Sequence, residues 1–166
     1  MNVSKLLSKV TAGAAVLSAL AACAAKEEAA PAPIAVDVEF PSAAAAVAVD
    51  SVKLYVFDGA QDCAELIRRR QIQQELPPFL LETPAASPCD FQRGQNNTFE
   101  LDLAQTYSVL AVGDRQGGDL LVGCAKQTSF GDTKALPISL TFLDATKRVP
   151  DTTCTKLSDK CAGTCN

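Results

Sequence analysis

Apolar and polar residues alternate over several short stretches of the chain, with the period of a half-buried β-strand. The pattern is clear over residues 34–40, where two acids separate the apolar positions. It returns over 52–57, after which Asp58-Gly59 signals a turn. The same alternation predicts strands over 98–103 and 136–142. The largely apolar stretches 107–112 and 120–125 predict two further strands, and the small apolar residues of 43–49 suggest a short edge strand.

One segment between the strands has the composition of a helix. Asp62 can cap it, Glu65 follows three residues later as in a capping box, and a pair of prolines closes it. The sequence therefore predicts a short helix within 62–76. Residues 83–97 contain two prolines and Cys89, and they predict a long polar loop.

Six to seven short strands separated by turn signals are typical of an antiparallel β-sandwich. The tight turn at 113–118 predicts that the strands on either side of it pair as a hairpin. We expect a mainly β fold, a small sandwich over 34–149 with one inserted helix, followed by a disulfide-stapled tail over 150–166. The strand order resembles prealbumin-like and immunoglobulin-like modules of bacterial surface lipoproteins, a resemblance carried by the strand 52–57, the hairpin 107–125 and the closing strand at Ile138.

The N-terminus has the features of an export signal. Residues 1–9 carry Lys5 and Lys9 and no acid, and residues 10–22 are almost wholly apolar or small. This apolar stretch is short for a membrane span, which takes about 20 residues. The sequence Leu20-Ala21-Ala22-Cys23 resembles the lipobox of bacterial lipoproteins. The resemblance implies cleavage before the cysteine, a diacylglyceryl group on its thiol and acylation of the new amino terminus.

The lipoprotein resemblance also implies a location. Ala24, rather than an aspartate, follows the cysteine, and in Gram-negative sorting this pattern implies delivery to the outer membrane. Residues 24–33 hold two prolines and no bulky apolar side chain, so they predict a flexible tether. We therefore expect residues 1–22 to be a signal peptide. Residues 23–33 are then a lipidated tether in the cell envelope, where several acyl chains anchor a protein to the membrane stably.

If Cys23 carries lipid, six of the seven cysteines remain, namely Cys63, Cys89, Cys124, Cys154, Cys161 and Cys165. An even number in an exported chain indicates three disulfides, because oxidation persists outside the cytosol. Six cysteines allow many pairings, and the sequence alone does not choose among them. We favour Cys63 with Cys124, because both should lie beside the same core. Cys89 should then meet the tail, and the remaining two cysteines should close a small loop within 154–165.

Composition excludes several classes of function. The chain contains no histidine, so a Ser-His-Asp or Cys-His nucleophile system and an imidazole metal site are impossible. It has no Gly-x-Ser-x-Gly nucleophile elbow and no closely paired Cys-x-x-Cys motif. Its formal charge is -4, and loss of the signal peptide removes two lysines and no acid, whereas nucleic-acid binders carry a basic excess. We expect a protein that is not an enzyme and that uses no metal, no cofactor and no nucleic acid.

One basic run is a candidate binding site. The guanidinium groups of Arg68, Arg69 and Arg70 could bind an anion such as lipopolysaccharide or another polyanion, because their planar forks match phosphate. The alternative is a solvated helix face. The turn 113–119 carries two carboxylates but lacks the spacing of a calcium loop. Glu100 and Asp102 share one strand face, where no cleft is predicted.

Two functions fit these expectations. The first is a lipid-anchored, non-catalytic binding or structural module of the cell envelope, whose partners are the membrane and an envelope protein or glycan. Its candidate surface combines the loop 83–97 with the tail 150–166, because loops on a rigid scaffold commonly carry function. The alternative is an inhibitor or immunity lipoprotein, in which a stapled loop blocks the cleft of an envelope or extracellular enzyme.

Overall fold

The computed structural model describes residues 32–95, 97–102, 105–128, 135–149 and 152–165. The predicted signal peptide, the lipidation site Cys23 and most of the tether lie outside these residues. In chain order the described elements are β1 (Ala32–Glu39), α1 (Ala43–Ala48), β2 (Ser51–Asp58), α2 (Cys63–Gln71), β3 (Leu81–Glu82), α3 (Pro88–Gln92), β4 (Thr98–Leu101), β5 (Thr106–Arg115), β6 (Gly118–Thr128), β7 (Leu136–Ser139), β8 (Thr141–Phe142) and α4 (Leu157–Cys161). None of the helices described here has the length and apolar content to cross a bilayer.

Two β-sheets form the predicted sandwich. The smaller sheet has the order β4-β1-β7, and the larger has the order β3-β2-β5-β6-β8. The predicted hairpin is present as β5 and β6. Residues 32–35 of β1 pair antiparallel with β4, whereas residues 36–39 pair parallel with β7. The sandwich is thus mainly antiparallel, with β1 and β7 as a parallel pair.

The predicted last strand divides between the two sheets. β7 pairs with β1 in the smaller sheet, and β8 pairs with β6 at the edge of the larger one. The chain changes sheets at Leu140, whose N–H donates to the carbonyl of Glu39 at 2.8 Å. Gly123 of β6 lies against this crossing. A Cβ added at Gly123 would stand only 2.5 Å from the carbonyl oxygen of Ser139, which is too close. A glycine is therefore needed where the two sheets are joined.

The larger sheet is covered on both faces. One face of β2 is fully buried in the main core against the smaller sheet, through Val52, Leu54 and Val56. On the opposite face, Phe57 is fully buried in a second cluster with Leu66 of α2. The disulfide between Cys63 and Cys124 ties α2 to β6 on that side. Side chains from the two faces of β2 therefore enter two separate cores, and α2 covers the smaller one.

Residues 43–48 form the helix α1, so the expected edge strand at 43–49 was wrong. The apparent alternation of Val47 and Val49 suggested a strand, but five of the six residues of α1 are alanine, the best helix former. Ser42 caps the helix, since its hydroxyl oxygen accepts a hydrogen bond from the N–H of Ala45 at 3.1 Å. The last four residues of the helix are buried, and Ala45 and Ala48 belong to the main core.

Residues 83–97 are more ordered than the predicted polar loop. Ala86 and Val52 exchange two backbone hydrogen bonds, of 2.7 and 2.9 Å. The helix α3 then begins after Ser87, which forms a capping box with Asp90. Cys89 lies in this helix and is only 6% exposed. The loop is therefore an ordered part of the surface and holds its cysteine in a fixed place.

The helix predicted within 62–76 is present but ends early. Asp62 caps α2, as expected, by accepting a hydrogen bond from the N–H of Glu65 at 3.2 Å. The helix ends at Gln71, and Gln73 adopts a positive φ of 54° that interrupts the helical backbone. The chain then runs without regular structure to β3.

Candidate functional site

The six described cysteines form three disulfides, Cys63–Cys124, Cys89–Cys161 and Cys154–Cys165. The favoured pair Cys63–Cys124 is confirmed, and Cys89 pairs with the tail as expected; the sequence had left its partner there open, and the structure gives Cys161. In each pair the Cα atoms are 5.4 Å apart, which is ordinary for a disulfide. Their sulfur atoms are oxidised, so these cysteines offer no thiolate as a nucleophile or as a metal ligand.

The C-terminal tail folds back onto the sandwich. Its helix α4 packs against α1 and α3. The disulfide from Cys161 to Cys89 fastens α4 to α3, and the disulfide from Cys154 to Cys165 closes the tail on itself. The region 83–97 and the tail, which we expected to share a surface, are thus covalently joined.

Lys160 of α4 is the main polar contact between the tail and α1. Its Nζ donates to the carbonyl oxygens of Val47 at 2.8 Å and of Val49 at 2.6 Å, where α1 ends. The ammonium group therefore satisfies carbonyls that have no partner within the helix. Burial lowers the pKa of Lys160, the nearby Asp50 carboxylate opposes this shift and the Arg115 guanidinium adds to it.

Arg115 and Asp50 approach the same place from neighbouring strands. Arg115 ends β5, and Asp50 directly precedes β2, which pairs with β5. The carboxylate of Asp50 accepts a hydrogen bond from the backbone N–H of Gln116 at 2.8 Å. The backbone N–H of Asp50 donates to the carbonyl oxygen of Asp114, also at 2.8 Å. These bonds hold the β5–β6 turn against the start of β2 and so fix the position of Arg115.

These side chains border a cavity of about 360 Å³, which we call the tail cavity. Its lining comes from the end of α1, the β5–β6 turn and the tail, and includes Asp50, Arg115, Lys160 and the Cys154–Cys165 disulfide. The Nη1 atom of Arg115 is shielded from solvent and has no hydrogen-bond partner among the described residues. The lining of the cavity therefore combines two cations with one carboxylate.

The arginine run at Arg68–Arg70 is engaged in ion pairs within the chain. Arg68 and Arg69 both donate to Glu65, at 2.8 and 2.9 Å, and Arg70 pairs with Asp119 of β6. The hydrogen bond from Arg68 is the largest cause that lowers the pKa of Glu65 to about 2. An external anion at this run would have to compete with these carboxylates, so anion binding there stays a prediction.

A second surface feature is the segment between α2 and β3, along which three large apolar side chains are exposed. Ile72, Phe79 and Leu80 are 56%, 43% and 62% exposed. Phe79 packs edge-to-face on Tyr55 and Phe57, with ring centroids 5.5 and 6.4 Å apart. We call these three exposed residues the apolar patch. Adjoining exposed apolar side chains are typical of a contact surface, and Phe79 and Leu80 are neighbours in the chain.

The remaining predicted candidates lie apart from the tail cavity. Glu100 and Asp102 are exposed at the smaller sheet. Asp114 and Asp119 flank the β5–β6 turn, where Asp114 accepts a hydrogen bond from the N–H of Gly117 at 3.1 Å. Within the described residues, no three or more of the acidic and cysteine side chains are grouped as a metal site.

None of the residues Asp50, Arg115 and Lys160 was a candidate site residue from the sequence. The hairpin turn was recognised, and its pairing with β2 would have placed Asp50 beside it. Lys160 precedes Cys161, so the disulfide to Cys89 determines where its side chain can reach. These three residues could therefore be recognised as neighbours only after the strand pairing and the disulfide pairing were known.

Comparison with protein-family models, with curated proteins and with solved structures finds no significant match for this chain. Arguments about function therefore rest on its own residues.

Proposed function

We propose that this chain is a lipid-anchored, non-catalytic binding module of the bacterial cell envelope, acylated at Cys23 and held at the outer membrane. Its partner is an envelope protein or a glycan. The observation that supports the proposal is the tail, which the Cys89–Cys161 disulfide fastens to α3, which packs on α1 through α4, and which the Cys154–Cys165 disulfide closes on itself. A surface that is ordered before binding loses less conformational entropy when a partner docks.

The anchor is supported by the sequence around Cys23 and by the state of the other cysteines. Leu20-Ala21-Ala22-Cys23 resembles a lipobox. All six cysteines among the described residues are paired with one another. Such pairing suits an oxidising compartment outside the cytosol, and it leaves Cys23 as the one cysteine for lipid.

The anchor is tested by the intact mass of the protein recovered from the membrane fraction of its own cells. We expect a chain that begins at Cys23 and carries acyl groups. The other six cysteines should react with an alkylating reagent only after reduction. The matched control is C23S, which should carry no lipid and leave the membrane fraction. A wild-type chain without lipid and with free thiols would overturn the proposed anchor.

A second candidate function is an inhibitor or immunity lipoprotein. The observation that favours it is the apolar patch, because Ile72, Phe79 and Leu80 are exposed on the segment that connects α2 to β3. Apolar and aromatic side chains are common anchors at the centre of tight protein interfaces. In this reading the patch, rather than the tail, contacts the enzyme.

Site-specific photo-crosslinking separates the two candidates. The probe is placed at Thr155 in the tail, at Leu80 in the apolar patch, or at the exposed Glu100 as control. Adducts from Thr155 alone support the binding module. A stoichiometric adduct from Leu80 with an enzyme whose activity falls supports the inhibitor. Equal labelling at all three positions contradicts both, and robust turnover of ester, peptide or glycoside substrates by the purified protein contradicts a non-catalytic role.

A further inference from the structure

We infer that Phe79 and Leu80 of the apolar patch insert into the surface of the bilayer that holds the acyl chains of Cys23. The inference rests on the proposed lipid anchor, and it adds a second contact with the membrane and an orientation for the sandwich. Two observations carry it, namely the exposure of these two neighbouring side chains and the end of the sandwich at which β1 begins.

Phe79 and Leu80 belong to a wholly apolar run, residues 76–81, that leads into the edge strand β3. Their side chains are 43% and 62% exposed. The run is held in place, because the N–H of Leu80 donates to the carbonyl of Val56 at 2.7 Å and the ring of Phe79 packs edge-to-face on Phe57. Apolar side chains held at the surface of a folded protein mark a contact with another protein or with a membrane.

The chain enters the sandwich at the same end as the one on which these side chains pack. Ala32, the first residue of β1, pairs with the last residue of β4, and the carbonyl of the next residue, Asp102, accepts a hydrogen bond from the hydroxyl of Tyr107 at 3.3 Å. Tyr107 pairs with Asp58, the last residue of β2. Phe79 packs against the residue that precedes Asp58. The start of β1 and the exposed apolar run therefore share one end of the sandwich.

The tether then brings this end to the membrane. Residues 23–31 can span at most about 30 Å when fully extended, so a lipid on Cys23 keeps the start of β1 close to the bilayer. Insertion of the two side chains is then an intramolecular step with a high effective concentration. Two apolar side chains alone would bind a bilayer weakly, but a second contact needs little affinity once the lipid holds the chain.

This orientation leaves the proposed partner surface free. α1 follows the end of β1 and precedes the start of β2, so it lies at the opposite end of the sandwich. The tail packs on α1 through α4, where Lys160 donates to the carbonyls of Val47 and Val49. The tail therefore faces away from the bilayer when the exposed apolar run faces it.

The charges near this end favour an apolar contact over attraction to anionic lipid. Asp58 and Asp62 are exposed between the end of β2 and the start of α2. The guanidinium groups of Arg68–Arg70 are paired with carboxylates of the chain itself. Anionic headgroups would meet the same sign of charge at the two aspartates, so we expect zwitterionic lipid to bind at least as well.

The inference is tested by tryptophan fluorescence. The chain contains no tryptophan, so L80W introduces a single reporter into the apolar patch. The protein is recovered from the membranes of its own cells and reconstituted into phosphatidylcholine vesicles, with or without bromine on the acyl chains, because bromine quenches a tryptophan only at close range. The control T155W places the reporter at an exposed position of the tail.

We expect bromine to quench the emission of L80W, which should also be shifted to the blue, because the indole lies in an apolar medium. The emission of T155W should be that of a solvated indole and should not respond to bromine. Equal quenching at the two positions, or no quenching of L80W, would overturn the inference.

A charge placed beside the reporter tests whether insertion depends on apolar contact. P78D/L80W adds a carboxylate at the exposed neighbour Pro78, and its quenching should be lost, because a charged group resists transfer out of water. T155D/L80W adds the same charge in the tail and should be quenched like L80W. Full quenching of P78D/L80W, with the circular dichroism of the wild type, would contradict insertion. The comparison of L80W with T155W decides the inference even if P78D/L80W does not fold.

The lipid composition separates apolar insertion from binding through the arginine run. Addition of phosphatidylglycerol to the vesicles should leave the quenching of L80W unchanged or weaken it. Stronger quenching would assign the contact to the arginines and refute the inference. A protein crosslinked at Leu80, without quenching by bromine, would support the inhibitor candidate and equally refute insertion.

The anchor and the insertion can fail separately. If the intact mass shows no acyl groups on Cys23, its thiol is coupled to a maleimide lipid and the same fluorescence is measured. Quenching of L80W in the coupled protein would support insertion although the natural anchor had failed. A lipidated chain without quenching would leave the anchor intact and overturn the insertion.

Discussion

The Nζ atom of Lys160 lies 2.6 Å from the carbonyl oxygen of Val49, although the two residues are separated by most of the fold along the chain. The lysine belongs to the tail helix α4, and the carbonyl ends the alanine helix α1. A second bond, to the carbonyl of Val47 at 2.8 Å, completes the contact. The tail therefore acts as a C-terminal cap for another helix.

We predict that K160M destabilises the protein by about 1–3 kcal/mol, because it leaves carbonyls at the end of α1 without a donor. Methionine keeps the apolar stem, so the loss reports on the ammonium group. The change is measured by urea unfolding. K156M is the matched control, since Lys156 is exposed at the start of the same helix. Equal unfolding midpoints for the two variants would contradict the capping role.

We predict that G123A destabilises the protein by about 1–3 kcal/mol, since the added methyl group would overpack a crowded site. Its Cβ would stand 2.5 Å from the carbonyl oxygen of Ser139, where the chain passes from β7 to β8. G118A is the control, because a Cβ there meets only the carbonyl oxygen of Arg115, at 3.7 Å. Thermal unfolding of both variants measures the difference, and a neutral G123A would show that the crossing is not tightly packed.

Loss of the bridge between Cys89 and Cys161 should release the tail. We expect C89S/C161S to lose about 4 kcal/mol of stability, because the bridge closes a long loop in the unfolded chain. The tail should also become a substrate for trypsin at Lys156 and Lys160 under conditions in which the wild type resists. Cleavage is followed by mass spectrometry after reduction. C63S/C124S is the control, and preferential cleavage of its tail would speak against this arrangement.

The ion pairs of Glu65 predict a pH dependence. Arg68 and Arg69 lower the pKa of this carboxyl group from 4.5 to about 2, so the folded state favours the charged form. The stability that it contributes is fully present above the unfolded pKa and is lost as the pH falls from about 4.5 towards 2. E65Q should therefore be less stable than the wild type near neutral pH, and the two should converge in acid.

Urea unfolding at several pH values measures this difference. E100Q serves as control, because Glu100 is exposed and forms no ion pair among the described residues. A gap between wild type and E65Q that persists at the lowest pH would assign the effect to helix packing instead of charge.

Local signals in the sequence predicted the elements that depend on local physics. Alternation located strands such as β2, β4 and β7, because a strand with one face on the core buries every second side chain. β5 is buried on both faces and was found from its apolar run instead. Asp62 located the start of α2, because a cap acts within one turn. The helices α1 and α3 were missed although their caps, Ser42 and Ser87, were visible. Short alanine-rich and proline-containing segments also fit a strand or a loop, and only burial against the core selects the helix.

The tail cavity could not be predicted in this way. Asp50, Arg115 and Lys160 lie on three separate elements, and each is an ordinary charged residue in its local sequence. They meet because β2 pairs with β5 and because Cys161 pairs with Cys89. A site assembled from distant segments leaves no local pattern.

The sequence by itself determined the positions of the longer strands, the mainly β class and the number of cysteines available for pairing, since these follow from side-chain pattern and composition. The lipid anchor at Cys23 stays a prediction from the same source. Tertiary structure alone decided that β1 and β7 run parallel, that the last strand divides between two sheets and that the tail covers α1. The physical reason is that these outcomes depend on which surfaces bury each other, and burial is a property of the whole folded chain.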